Sequence, residues 1–283
     1  MEMNRRIIPI IVLFLTGCSA GKPEISQNFI NDINISSKDL KTPQKANEIA
    51  AIPARKLRFT ENNKHTLFVH PGLMFGIDWG GSRANDAGQK LIKDGYYSNI
   101  LEVRNRNYLP IYKQMIKDNA QSYLGIHYSM GGSPAVVSEA LKASKKASNK
   151  FDKTFVYNAI LVDPYGFSDF SNYIDPDSPN LGTVFIIASS NYSLFRPDMT
   201  SVSSKISNHK KIHYIYPEEF GLSWDHFGFL SAIKDNNNKS LNSLKMRGIF
   251  YFLVNAIHLE AETDSIEYGL QKLKDNYKQD SGV

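Results

Sequence analysis

From about residue 56 onward, short unbroken apolar runs alternate with segments whose apolar residues recur at helical spacing. Leu67-Phe68-Val69, 100–103, 123–126, 155–162, 183–188 and 212–216 are short and rich in β-branched and aromatic residues, which predicts strands. Between them, 85–94 is helix-like and closed by Gly95, 110–119 carries Pro110 near its first turn, and 133–147 has Pro134 at its start. A further apolar-faced helix is predicted over 248–260. Strands alternating with helices predict βαβ units and an α/β fold with a mostly parallel sheet. Runs such as Val184-Phe185-Ile186-Ile187-Ala188 are apolar on both sides, as in a sheet covered by helices on both faces. Working residues in such sheets gather at the carboxyl ends of the strands. Residues 19–55 differ: they are rich in Asn, Ser, Lys and Pro with little apolar periodicity, and read as a tether with a short helix near 45–51.

One strand-to-helix junction carries chemistry. In Gly125-Ile126-His127-Tyr128-Ser129-Met130-Gly131-Gly132-Ser133-Pro134, a strand runs in, a helix runs out, and Ser129 sits on the corner. The segment resembles the Gly-x-Ser-x-Gly nucleophile elbow of the α/β-hydrolases, in which a sharp turn thrusts a serine hydroxyl above the sheet. Gly131 and Gly132 supply the small residues after the serine. His127 stands where the family has its first Gly, and so large a side chain is expected to point out of the crowded side of the corner. The same residues also suit an anion-binding turn, or a plain helix start with Ser129 as cap.

The resemblance implies a base and an acid in the chain order Ser, acid, His, which sets aside His65, His70 and His127. Of the downstream histidines, His213 lies within a strand, His209 precedes it, and His258 falls late in a helix. His226, in Gly221-Leu222-Ser223-Trp224-Asp225-His226-Phe227-Gly228-Phe229, follows the last strand and opens a final helical region, as the family's base does; a histidine packed beside Trp224 and Phe227 is the other reading. After the 183–188 strand, the family's usual acid slot holds Asn191 or Tyr192, neither acidic. Asp198 is the first carboxylate beyond it and is preferred slightly over Asp163, which closes the 155–162 strand in Leu161-Val162-Asp163-Pro164 and also suits a turn. Asp225 adjoins His226 in sequence, a poor geometry for orienting it. The oxyanion donors implied are the amides of Met130 and of Leu73 or Met74, the latter pair in Val69-His70-Pro71-Gly72-Leu73-Met74-Phe75-Gly76. A simple Pro-Gly turn uses the same residues. Leu73, Met74, Phe75 and Trp79 would line the acyl side, and 165–179 would form a lid, part of the pocket wall or a packed surface loop.

Composition narrows the class. Of 283 residues, 42% are apolar and 22% charged, ordinary for a globular chain, and the formal charge of +5 is spread out. Lys142, Lys145, Lys146 and Lys150 read as a solvated helix face, and without a basic stripe interleaved with aromatics no nucleic-acid partner is expected. The 15 tyrosines and 16 phenylalanines suit an apolar or amphipathic substrate. The single cysteine, Cys18, allows no internal disulfide and no cysteine-based metal site. Arg5 and Arg6, the apolar run 7–15 and the small residues before Cys18 read as a secretory signal, too short for the roughly 20 residues of a membrane span. Leu15-Thr16-Gly17-Cys18 resembles the lipobox of bacterial lipoproteins, which implies cleavage of 1–17 and a lipid on Cys18. Ser19, by that family's habit, points to the outer membrane, facing the periplasm. The expectation is therefore a signal peptide (1–17), a tether (18–55) and an α/β-hydrolase domain (56–283). It would be a carboxylesterase- or lipase-like enzyme at the bacterial envelope, cleaving a small-molecule or lipid ester, a thioester or an amide, with no metal or cofactor. The alternative is a non-catalytic envelope lipoprotein that binds a ligand or partner on a degenerate hydrolase scaffold.

Overall fold

A computed structural model describes residues 65–72, 81–104, 106–165, 170–190, 206, 208–235, 238, 240–258 and 260–279. The expected signal peptide, tether and Cys18 lie outside these residues, as do Leu73, Met74, Phe75, Trp79 and Asp198. The fold is α/β. Six parallel strands, β1 (Thr66–His70), β2 (Asn99–Glu102), β3 (Ser122–Tyr128), β4 (Val156–Val162), β5 (Leu181–Ile187) and β6 (Ile212–Ile215), form one sheet in the order β2-β1-β3-β4-β5-β6. Helices α1 (Gly81–Lys93), α2 (Tyr108–Asp118), α3 (Pro134–Phe151), the single turn α4 (Phe170–Tyr173), α5 (Gly228–Lys234), α6 (Leu241–His258) and α7 (Thr263–Gln279), with 3₁₀ turns at Ser129–Gly132 and Pro217–Phe220, complete the described elements.

The period of two along each strand sorts side chains between two cores. Leu67, Val69, Leu124, Ile126, Ile160 and Val162 face α1, α5, α6 and α7. Phe68, Tyr123, Tyr157, Ala159, Leu161 and Val184 face α2, α3 and α4. The chain moves from β1 outward to β2, then returns to place β3 on the other side of β1. That reversal puts the topological switch point between β1 and β3, and open α/β sheets bind ligands outside the carboxyl ends of the strands at such a point.

Local signals fix the helix ends near the site. The Asn107 side chain accepts a hydrogen bond from the Leu109 amide at the start of α2, and Asn119 ends the helix in the left-handed region at φ 52°. Pro134 opens α3, which runs to Phe151, four residues beyond the expected end, and Asp152, at φ 50°, closes it. Two differences from the sequence reading have a physical cause. Helix α6 begins at Leu241 rather than 248, because Lys245 and Arg247, polar in the sequence, are buried and satisfied. Lys245 Nζ donates to the Tyr277 carbonyl, and the Arg247 guanidinium donates to the carbonyls of Ala232, Asp235 and Asn238, which caps the end of α5. Helix α7 stands outside the elements the sequence predicts, although Ile266, Leu270, Leu273 and Tyr277 recur at helical spacing and pack into the core. Among the described residues no helix is long and apolar enough to cross a membrane.

Candidate functional site

The turn at Ser129 is strained. Strand β3 enters it in extended conformation at Tyr128 (φ −123°, ψ 132°), and a short 3₁₀ turn, Ser129–Gly132, leads into α3. Ser129 itself has φ +53°, a conformation that an L-residue adopts at a cost of roughly 1–3 kcal/mol and that clusters at functional sites. Neighbours hold it there. The Tyr165 amide donates to the Ser129 carbonyl at 3.2 Å, tying the turn to the exit of β4. Gly72, two residues past β1, lies so close that a Cβ there would sit 2.8 Å from Ser129 Cβ and 3.4 Å from its Oγ. A Cβ on Gly131 would fall 2.3 Å from the His70 carbonyl oxygen and 2.6 Å from that of Pro71. The exit of β1 and the turn after β3 are therefore in backbone contact, and only glycine permits the approach.

His127 does not point outward as expected. It is fully buried beneath the turn, with Nδ1 2.8 Å from the Gly131 carbonyl and Nε2 2.9 Å from the Tyr157 hydroxyl. The room comes from Gly125, two residues earlier on the same face of β3, where a Cβ would lie 2.6 Å from His127 Nε2 and 1.9 Å from Tyr157 Oη. The small residue that the corner needs has moved back along the strand, and the imidazole fills the space it leaves. Burial pushes the His127 pKa down to about 4.

His226 reaches the same end of the sheet. Its loop is pinned to the exit of β5: the Ser190 amide donates to the Trp224 carbonyl at 2.9 Å, and the Trp224 amide donates to Ser190 Oγ at 3.0 Å. Tyr128, next to Ser129, stacks its ring on the His226 imidazole (centroids 4.9 Å apart, planes 21° apart) and donates its hydroxyl to the His226 carbonyl at 3.1 Å. One side chain thus holds both the ring and the backbone of His226 against the serine turn. His226 Nδ1 lies 3.1 Å from Asp163 Oδ2. Asp163 closes β4 at φ +46° with 1% of its surface exposed, and its Oδ1 accepts from the Ser189 amide at 2.5 Å. Burial pushes the Asp163 carboxyl up from its ordinary value, while His226 and the Ser189 amide pull it down. With Oδ2 as partner, Nδ1 carries the ring proton and donates, which leaves Nε2 as the basic nitrogen.

Of the two acids weighed from the sequence, Asp163 is the one seen bonded to His226, and Asp198 lies outside the described residues. The Met130 amide follows Ser129 within the 3₁₀ turn, and Leu73 follows Gly72 just beyond the described part of its loop. Asp225 accepts from the Phe227 amide in its own loop. His213 is buried in β6 and held down to about 4 by desolvation, and His209 sits 3.3 Å from Asp177. Sequence reading missed Tyr128, Ser189 and Tyr157, whose roles depend on which strands lie side by side. Within the 165–179 segment, Phe170 and Ile174 are buried in the α2–α3 core, which anchors this part on the body of the domain.

A cavity of about 410 Å³ opens at the opposite, amino-terminal end of the strands, lined by Ser122, Asn158, Gly182 and Lys211 among others. It holds neither Ser129 nor His226, so it is not the seat of this chemistry. Among the described residues no group of three or more His, Cys, Asp or Glu side chains could hold a metal ion. No protein-family model, curated protein or solved structure matches the chain.

Proposed function

We propose that the chain is a serine hydrolase of the α/β-hydrolase kind. The observation that carries this reading is a non-glycine Ser129 held at φ +53° between strand and helix, at the same end of the sheet as a buried Asp163 bonded to a half-buried His226. Ser129 Oγ attacks the carbonyl carbon of an ester, thioester or amide. His226 Nε2 takes the hydroxyl proton, then delivers it to the departing alcohol, thiol or amine. Asp163 keeps the imidazole in the productive tautomer and stabilises its cation. The oxygen that turns negative is held by the amides of Met130 and Leu73. A water then attacks the acyl-serine by the same route and releases the acid. The contact of Gly72 with Ser129 supports this pairing of loop and turn.

The substrate class we favour is an apolar or amphipathic carboxylic ester. Exposed Tyr165 and Phe227, each within two residues of the acid–base pair, support that preference. In the same proposal, the enzyme is carried by a lipid on Cys18 at the outer membrane of a bacterial envelope. The competing non-catalytic reading drew on the unusual His127 and the lack of an acid in the usual slot. The space left by Gly125 and the bond from Asp163 to His226 weigh against both. The test is covalent labelling of the chain from residue 19 onward with a fluorophosphonate, read by intact mass. One adduct that disappears in Ser129→Ala is expected, and an unlabelled folded protein would refute the hydrolase reading.

A further inference from the structure

Two histidines and a tyrosine that the proposed reaction does not use lie beneath the serine turn, where the exits of β1 and β3 meet. His70 and His127 are cross-strand partners at the ends of β1 and β3. Their rings stack face to face, with centroids 4.1 Å apart and planes 3° apart. Tyr157, on β4, reaches across the space left by Gly125 and brings its hydroxyl 2.9 Å from His127 Nε2 and 3.3 Å from His70 Nε2. All three side chains are at most 1% exposed. Polar groups so buried contribute only when their partners are satisfied, so the arrangement of protons is constrained.

That arrangement follows from one carbonyl. The Gly131 oxygen can only accept, so His127 Nδ1 carries a proton and donates to it. A neutral ring then has a lone pair on Nε2, which accepts from the Tyr157 hydroxyl. Tyr157 has spent its single proton, so its oxygen accepts from His70 Nε2–H. His70 Nδ1 is left as a lone pair, buried and with no hydrogen-bond partner among the described residues. Desolvation favours the neutral ring in both cases, and two stacked cations would repel.

We propose that His70, Tyr157 and His127 form a neutral hydrogen-bonded tie that holds the exit of β1 against the serine turn and so positions Ser129 and the Met130 amide for the proposed reaction. The proposal rests on the hydrolase reading and deepens it. One end of the tie is the carbonyl of Gly131, inside the serine turn. The other end is His70, the last residue of β1, followed by Pro71 and by Gly72, which lies against Ser129. The tie therefore joins the segment that carries Ser129 and the Met130 amide to the exit of β1, through a side chain on a third strand. These are positioning residues: none of them touches the reacting atoms.

Tyr157→Phe keeps the ring and removes only the bridging hydroxyl. Misplacing reacting groups by about 1 Å costs roughly a hundredfold, and a loosened donor costs less than a deleted one. The expected result is a fall in kcat on p-nitrophenyl butyrate of about ten- to a hundredfold, with KM unchanged within about twofold. The rate of fluorophosphonate labelling should fall in parallel. A second measurement needs no variant: long-range ¹⁵N–¹H spectra of the wild type at pH 7 should show His127 protonated on Nδ1 and His70 on Nε2, both neutral. A charged ring, or the opposite tautomer at His127, overturns the tie whatever the fate of Tyr157→Phe. A labelled wild type with undiminished kcat in a folded Tyr157→Phe overturns the positioning role alone. An unlabelled wild type overturns the hydrolase reading and the positioning role with it.

Discussion

Replacing Asp163 by Asn exchanges one oxygen for an NH₂ group in a site where every orientation is fixed by a neighbour. The Ser189 amide donates to Oδ1 at 2.5 Å, so an NH₂ group cannot occupy that place without setting donor against donor. The side-chain oxygen of the variant must stay toward Ser189, and its NH₂ must face His226 Nδ1, now 3.1 Å from a carboxylate oxygen. A donor facing Nδ1 forces the imidazole proton onto Nε2, the nitrogen that must accept from Ser129. The wrong tautomer in an acid–base–serine system costs about 10⁴-fold in kcat. Stability should not follow activity. Asp163 is 1% exposed, and its carboxyl is pushed up because burial penalises the charge. A neutral isostere removes that penalty, so the thermal midpoint of Asp163→Asn should hold or rise. The assay is steady-state turnover of p-nitrophenyl esters beside a thermal melt, with Asp198→Asn in parallel. Loss of less than about tenfold in Asp163→Asn, or a larger loss in Asp198→Asn, refutes the assignment of the acid.

Ser129→Gly should stabilise the protein by about 1 kcal/mol, since glycine adopts φ +53° without the clash that serine bears; a lower urea midpoint than wild type would contradict the strain, and all labelling should be lost. Gly131→Ala should destabilise by about 1–3 kcal/mol, because its Cβ would meet the carbonyl oxygens of His70 and Pro71. A neutral effect in the same urea titration would mean that the β1 exit and the turn are not in contact. Stability should also fall with acid. Burial holds His127 and His213 down to about 4 against an ordinary 6.5, so their contribution is full above about 6.5 and is lost as pH drops toward 4. Each group costs up to about 1.4 kcal/mol per pH unit in that window. Asp163, pushed up, works in the opposite sense, but His70 and His258 move with the first two. A urea midpoint unchanged from pH 7 to pH 5 would refute this.

The alternation of strands and helices and the bend at Ser129 were legible because they are local. A strand announces itself by a run of apolar residues, a helix start by Pro134, and the bend by Ser-Met-Gly-Gly between them, all within a few residues of backbone. Where charge hid an apolar face, as at Lys245 and Arg247, the helix start was lost, because carbonyls from distant segments satisfy those cations. The α7 periodicity is weaker as a signal, because charged residues interrupt its apolar positions. Between Asp163 and Asp198 the sequence could only rank. Asp163 is 63 residues from His226 along the chain, and their bond exists because parallel register brings the exits of β4 and β5 side by side under the loop of His226. The inward turn of His127 has the same origin: the space it fills is opened by Gly125 and bounded by Tyr157 on the neighbouring strand. Backbone preference acts between adjacent residues and can be read from their order. Side-chain partnership acts across strands, and only strand order and register decide it.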